Sequence, residues 1–331
     1  MNCMLGQFNK KWLGVLPTFD PKQGVTVFPP EQEGPGWWIG APSVTRDPIG
    51  NSWYLYARIR RPQPERGAAC IISKSTDGTT FTEVWRCTKE QLNSESIERS
   101  SLIYGTDGIW KLYISYVNRQ TRKWQIDLVE ADCPENLDVT RRVTVLQPDA
   151  VNAEGVKDPH VIIMGGLYVM YLSVADRVDV TPDKEEARHK TGDIFNTGLT
   201  RGYTGLAIST DGKSYRWKGP VITPKEGTWF RYGTRIAAVV PFCGGIAAYF
   251  DGTKTVEENY EEQTGIAAGF SPEQMEILSE SSPVLKSPWG TGSLRYIDII
   301  PVDNGTWRIF YELARDDGSH ELRMNEVSMT D

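Results

Sequence analysis

Apolar residues in this chain fall in short runs, and the runs are joined in pairs by tight glycine turns. The stretch GVKDPHVIIMGGLYVMY, residues 155–171, carries the pattern most clearly. A charged pair, Lys157 and Asp158, precedes Pro159, a residue with no backbone donor and a fixed φ. An apolar run leads into Gly165-Gly166, and a second run carries Tyr168 and Tyr171. Two strands across such a turn predict a hairpin. The acid at the start of the first strand then shares an edge with the end of the second.

The same unit recurs along the chain. WWIGAPSVTRDPIGNSWYLYARIR (37–60), IERSSLIYGTDGIWKLYISY (97–116), YGTRIAAVVPFCGGIAAYFDG (232–252) and LRYIDIIPVDNGTWRIFYELAR (294–315) each read as strand, turn, strand. Further strands follow in AACIISKSTDGTTFTEVW, WQIDLVEAD, YTGLAISTDGKSYRWKG, TGIAAGFSPEQMEIL and ELRMNEV. Units spaced by about 55 to 80 residues, each of about four short strands, predict an all-β fold, a five-bladed β-propeller. A pair of β-sandwiches would leave unexplained the charged residue that precedes the first strand in most units. Residues 37–331 are expected to form this single domain. Residues 1–36, irregular and broken by Pro17, Pro21, Pro29 and Pro30, are expected to be an arm that packs on it or closes it. The polar insertion 176–200 reads as a flap over the mouth, a contact with a second subunit, or a solvated loop.

Composition narrows the function. With 11 Trp, 14 Tyr and 10 Phe the chain can fill a large core, while 31 Gly and 20 Pro favour turns over long helices. A net charge of -7 argues against a nucleic-acid partner. No apolar run approaches the roughly 20 residues that cross a bilayer, so no membrane partner is expected. The first residues lack the charged-then-apolar order of a signal peptide, and a cytoplasmic location is expected. Cys3, Cys70, Cys87, Cys133 and Cys243 are scattered and free of CxxC spacing, which reads as buried free thiols. The only histidines are His160, His189 and His320, too few for a His-rich zinc site. No metal and no cofactor is expected.

In a propeller the first strand of each unit lines the axis. Aligning the hairpins places Ala41, Arg99, Asp158, Arg235 and Arg295 at comparable positions, with Glu98, Lys157 and Asp298 beside them. Asp251 and Glu312 end second strands that return to the same edge. The resulting funnel mixes carboxylates with arginines, which either meet a polar ligand or pair with one another to hold the units together. Paired carboxylates across a pocket are what glycosidic cleavage needs: one protonates the leaving oxygen, the other attacks or activates water. The catalytic candidates are Asp158, Glu98, Asp298 and Glu312. The substrate-binding candidates are Trp37, Trp38, Arg99, His160, Tyr232, Arg235 and Arg295. Trp37, Trp38, Trp229 and Tyr232 suit stacking on a sugar ring, whereas Trp53, Trp110 and Trp307, inside strands, read as core.

APSVTRDPIGNSWYLY, KDPHVIIMGGLYVMY and the turns STDGTTF (75–81) and STDGKSY (209–215) resemble the five-bladed propeller glycosidases, the superfamily of glycoside hydrolase families 43, 32, 68, 117 and 130. The resemblance covers most of residues 37–328. The two Ser-x-Asp-Gly turns are also similar to the structural Asp-boxes of six-bladed sialidases. In family 43 the first blade opens with Asp-Pro, whose Asp is the general base; here the matching residues are Ala41-Pro42. Asp158 matches the third-blade Asp that tunes the acid and orients substrate, and Arg235 stands where the fourth-blade Glu acid would be. The family 43 catalytic set is therefore not preserved. Its arginines imply an anionic sugar such as a uronate, or inorganic phosphate as in the phosphorolytic members of family 130, whose Glu-Asp-Pro-Arg element Glu98-Arg99 resembles without the catalytic Asp. The expectation is a glycoside hydrolase with a carbohydrate substrate. The alternatives are a glycoside phosphorylase and a non-catalytic propeller that binds a glycan or a protein.

Overall fold

The computed structural model describes residues 16–242, 244–302 and 305–328. The chain start contributes β1 (Val25–Phe28), and four consecutive strands follow: β2 (Trp38–Arg46), β3 (Trp53–Arg61), β4 (Arg66–Ser75) and β5 (Thr82–Thr88). In the next unit the first strand is split into β6 (Ser94–Ile97) and β7 (Ser101–Tyr104), and β8 (Trp110–Asn118), β9 (Trp124–Ala131) and β10 (Val143–Leu146) complete it. Then come β11 (Ala153–Met164), β12 (Leu167–Asp176), β13 (Gly202–Ser209) and β14 (Arg216–Ile222). They precede β15 (Gly233–Phe242), β16 (Gly245–Thr253), β17 (Gln263–Ser271) and β18 (Gln274–Ile277). The last are β19 (Leu294–Pro301), β20 (Thr306–Ala314) and β21 (His320–Ser328), whose free edge is covered by β1, antiparallel to it. Within each unit neighbours pair antiparallel. Single parallel bridges, Trp38 to His320 and Gly202 to Gly233, join units, so the hydrogen-bonded strands form three open sheets.

The turns behave as their composition requires. Asp77 Oδ1 accepts from the N–H groups of Thr79 and Thr80, and Ser75 Oγ accepts from Gly78 N–H. Asp211 and Ser209 repeat the arrangement with Lys213, Ser214 and Gly212. Gly78 has φ +71° and its α-carbon lies against the Trp53 indole, so a side chain there would be both strained and blocked. These motifs hold the fold.

A sheet buries its two faces only against neighbours, and the apolar clusters lie accordingly. Tyr54 and Ile72 of the first unit pack on Leu112 and Val129 of the second; Tyr113 and Leu128 on Met170 and Leu172; Tyr171 and Leu206 on Phe250 and Ala248; Tyr249 and Ile266 on Leu294 and Ile309. Phe310 and Leu322 then return to Ile39 and Leu55. The first strands touch in the same cyclic order, β2 on β7, β7 on β11, β11 on β15, β15 on β19, and β19 on β2. Cys70 and Cys87 are buried and Cys133 half-buried, all three free thiols; Cys3 and Cys243 lie outside the described residues, as do residues 1–15 of the expected arm.

Each first strand carries a one-residue bulge at the same depth. Gly40 faces Arg58 and Ser43 faces Tyr56; Lys157 faces Ser173 and His160 faces Tyr171; Arg295 faces Glu312 and Asp298 faces Phe310. Arg235 faces Asp251, and Ala238 faces Tyr249. This register corrects the sequence alignment. Arg235 and Arg295 stand level with Lys157, one place before Asp158, and the residues level with Asp158 and Ala41 are Ile236 and Tyr296. An extra residue in a bulge leaves no mark in the hydrophobic pattern, so aligning on charges slipped by one. Ala41, Asp158 and Tyr296 share a positive φ, 52°, 55° and 54°.

Two places past the bulge, a side chain reaches to the next first strand. Ser43 Oγ accepts from Leu102 N–H at 3.0 Å, Ser101 Oγ from Val161 N–H at 3.0 Å, and His160 Nε2 from Val239 N–H at 3.0 Å. Asp298 Oδ2 accepts from Val44 N–H at 2.7 Å. The fourth unit has Ala238 at this position, and Ile299 N–H turns instead to Asp298 Oδ1 at 3.0 Å. Ser101→Ala should strand the buried Val161 N–H and lower unfolding free energy by about 1–3 kcal/mol in urea titration. A loss indistinguishable from zero would show that this ring does not hold the strands together.

Candidate functional site

At the level of the bulges, acids and guanidinium groups alternate around the axis. Arg58 bonds Glu98 through Nη1 and Glu312 through Nη2, the latter at 2.9 Å. Glu312 is gripped by Arg295 at 2.6 and 3.0 Å, and Arg295 Nη1 bonds Glu262. Glu262 also meets Arg235 Nη1 at 3.0 Å, and the same nitrogen reaches Asp158 at 3.3 Å. Arg235 Nη2 and Nε bond Asp251 at 2.8 and 3.2 Å. Arg60 adds a second cation to Glu98 at 3.2 Å. The Tyr296 ring lies under the arginines, with the Arg235 guanidinium 3.7 Å from its centre, and its hydroxyl donates to Glu98. All these side chains are buried.

The electrostatics differ from acid to acid. Burial pushes Glu98 up, but Arg58, Lys157 and Arg60 outweigh it and hold its pKa at about 2. Burial is likewise outweighed at Glu312 by Arg295 and Arg58, and at Glu262 by Arg235 and Arg295, so both sit below the usual carboxylate range. Asp251 goes the other way: burial exceeds the pull of Arg235, and the nearby Glu262 charge raises it further. Three carboxyl groups share the Arg235 guanidinium, and like charges so close cannot all ionise without cost.

One layer below lie Arg99, His160 and Asp298. Arg99 is fully buried, with Nη2 3.5 Å from His160 Nδ1; among the described residues its Nε and Nη1 have no hydrogen-bond partner, and neither has Asp158 Oδ1. His160 accepts a backbone proton on Nε2, and burial with Arg99 holds it neutral. Asp298 is raised by burial to about 6, against Arg99 and its two N–H donors. Their contacts join neighbouring first strands.

Above the ring the axial end is closed. Trp38 stacks on His320 with ring centres 4.3 Å apart, and Arg60 lies between Trp38 and Tyr260. His320 bridges Glu312 and Glu261 at 2.9 and 3.1 Å. The insertion folds back over this end after a short helix, α1 (Pro182–His189). Its buried Asp193 collects Trp124 Nε1 at 3.1 Å, the Tyr260 hydroxyl at 2.6 Å, Asn196 at 2.7 Å and Arg66 at 3.1 Å. Phe195 is buried beside it and accepts from the Tyr232 hydroxyl through its carbonyl at 2.8 Å. These contacts make this part of the insertion a packed segment rather than a solvated loop.

A cavity of ≈ 30 Å³, space for a water or two, opens between the third and fourth units. Lys157, Phe195, Arg235, Asp251, Asn259 and Glu262 are among its walls. Of the sequence candidates only Arg235 lines it, with Asp158 directly behind on the same guanidinium nitrogen. Glu98 and Glu312 are held in ion pairs to one side, Arg295 between them and Glu262. Arg99, His160 and Asp298 are in the lower layer. Trp37 is half-buried and contributes its carbonyl to His320 N–H, Trp38 is packed in the closed end, and Trp229 stacks on Phe250 as core. The residues that sequence reading passed over are Arg58, Arg60, Glu262 and Tyr296. Arg58 and Arg60 had a signal: in YLYARIRR they alternate on one face of an otherwise apolar strand.

No family model and no curated protein sequence matches this chain. Solved structures do match in shape. A glycoside hydrolase superposes with a TM-score of 0.64 at 12% identity, covering 92% of this chain and 90% of that one. Levansucrase from Bacillus subtilis, in complex with oligosaccharides, gives 0.64 at 10% identity, over 95% and 88%. Beta-1,2-mannobiose phosphorylase from Listeria innocua, in complex with beta-1,2-mannobiose, gives 0.60 at 13% identity, over 92% and 94%. The chain has the fold of these proteins.

The two classes of buried acid predict opposite pH limbs. Glu98, Glu262 and Glu312, lowered on folding, give stability that is present above their unfolded values and lost as pH falls through their folded values, about 2 for Glu98. Asp298, raised to about 6, stabilises below its unfolded value and loses that contribution as pH rises through about 6. Relative to Asp298→Asn, the wild type should therefore lose about 3 kcal/mol between about pH 4 and pH 7 in chemical denaturation. Parallel profiles for the two proteins would refute the assignment.

Proposed function

We propose that this protein is a carbohydrate-active enzyme, a glycosidase or glycoside phosphorylase, built as a five-bladed β-propeller with its site at the cavity between the third and fourth blades. The supporting observation is a pair of carboxyl groups on one guanidinium whose surroundings drive their pKa values apart. Asp251 is raised and Glu262 lowered, and both line the same cavity. Divergent acids facing one space are the arrangement that lets one donate a proton while the other stays ionised. Asp251 is the proton donor to the leaving oxygen. Glu262 is the base or nucleophile of hydrolysis; in phosphorolysis the attacking group is phosphate itself. Asp158, bonded to the same arginine, sets the field of the pair. The cyclic order of the first strands and of the five apolar clusters supports the propeller.

A non-catalytic glycan-binding propeller is the second reading. It draws on the ion pairing of Glu98, Asp158, Asp251, Glu262 and Glu312 and on the small volume of the cavity.

Turnover of aryl glycosides, with and without inorganic phosphate, separates these readings. Glu262→Gln and Asp251→Asn should each lower turnover on the order of 10²–10⁴-fold with the thermal unfolding transition retained. Phosphate dependence assigns a phosphorylase, and its absence a hydrolase. A wild type inert toward every glycoside would remove the enzyme reading, and full activity in Glu262→Gln would remove this acid pair.

A further inference from the structure

The cavity wall contains one cation, Lys157, that is met by charge alone and makes no hydrogen bond among the described residues. Lys157 is buried, with 5% residual exposure, yet its ammonium has no hydrogen-bond acceptor among the described residues. The nearest carboxylate oxygen, on Asp158, is 3.8 Å away. The ammonium instead lies over two ring faces, 5.1 Å from the centre of Trp124 and 4.6 Å from that of Phe195. Aromatic faces stabilise the charge without using its N–H bonds. Those donors therefore remain for whatever enters the space.

Arg235 is in the opposite condition. Its Nε, Nη1 and Nη2 are all spent on Asp158, Asp251 and Glu262. Arg295 is spent in the same way on Glu262 and Glu312. Lys157 and Arg235 are already met by Asp158 and Glu262, whichever state Asp251 is in. An entering anion would find one ammonium and face carboxylates across a space of a few ångströms. A hydroxyl fits both walls, accepting from Lys157 and donating to Glu262 or Asp251.

We infer that this cavity takes the neutral, hydroxyl-bearing end of a sugar, that Lys157 is the residue selecting it, and that a uronate is excluded. This rests on the carbohydrate reading above and turns it against the anionic sugar that the arginines suggested. The cavity holds a hydroxyl or two rather than a ring, so the ring lies outside it. Neutral sugars carry donors and acceptors on one group, which is what a wall of one cation and two carboxyl groups requires.

The test is binding, read by calorimetry, of methyl pentosides and hexosides against the matching methyl glucuronide and galacturonide. At least one neutral glycoside should bind, and each uronide should bind at least roughly 10-fold more weakly than its neutral partner, since like charges brought together are strongly unfavourable. Lys157→Met, which keeps the apolar stem, should weaken the neutral ligand by about 10-fold or more. The wild-type pair decides the charge preference even where that variant does not fold. A uronide bound as tightly as its neutral partner, or a folded Lys157→Met with unchanged affinity, overturns the inference, as does failure of every glycoside to bind. Selective binding of a neutral sugar without turnover of any glycoside sustains it and overturns the enzyme reading. Turnover of a uronide does the reverse.

Discussion

The innermost strand of each unit is an edge strand with nowhere to find another partner, and the structure depends on how that is resolved. Free N–H groups on an edge must be satisfied, and first strands packed against one another in cyclic order leave no room for a further strand. The neighbouring unit supplies a side-chain acceptor instead, Ser43, Ser101, His160 or Asp298 in turn. The bulge just above each of these residues follows from the same crowding. It bends the strand away from its hairpin ladder and turns the preceding side chains toward the axis. A backbone problem thereby fixes which residues converge.

What converges is charge, and buried charge has to be paired. Glu98, Arg58, Glu312, Arg295, Glu262 and Arg235 form a chain in which each member touches the next. Such a chain is weak support for stability on its own, because desolvation offsets most of the attraction. Its effect is on register. Removing a member leaves a buried charge alone, so units carrying complementary members have one way to meet. The order of charges around the axis is thus a code for assembly, and the cross-strand pairs Arg235 with Asp251 and Arg295 with Glu312 tie that code to each hairpin.

Much of this was legible in the chain. Hairpins, Ser-x-Asp-Gly turns and the recurrence of the unit follow from local chemistry, and local chemistry is what sequence displays. The convergence of Asp158 with Arg235 and Arg295 was legible too. Their relative depth was not, since a bulge adds a residue without disturbing the alternation on either side, and Tyr296 went unnoticed at the position level with Asp158. Glu262 was hidden in the acid-rich approach to β17, where nothing local distinguishes it from Glu257 or Glu258. Only the distant Arg235 and Arg295 do. The docking of Asp193 was equally remote, since its donors come from three other units.

The same ring that closes the fold constrains any chemistry done in it. A carboxylate held in two ion pairs is a poor proton donor, and Glu98 and Glu312 are so held. Proton transfer needs an acid whose partners are insufficient, and that condition arises where acids outnumber cations. It arises at Arg235, which carries three carboxyl groups while Arg58 and Arg295 carry two each. The surplus falls on Asp251, the member raised by burial, and the cavity opens beside it. The proposed acid pair thus sits where acids are in surplus, and the paired remainder keeps that surplus in position.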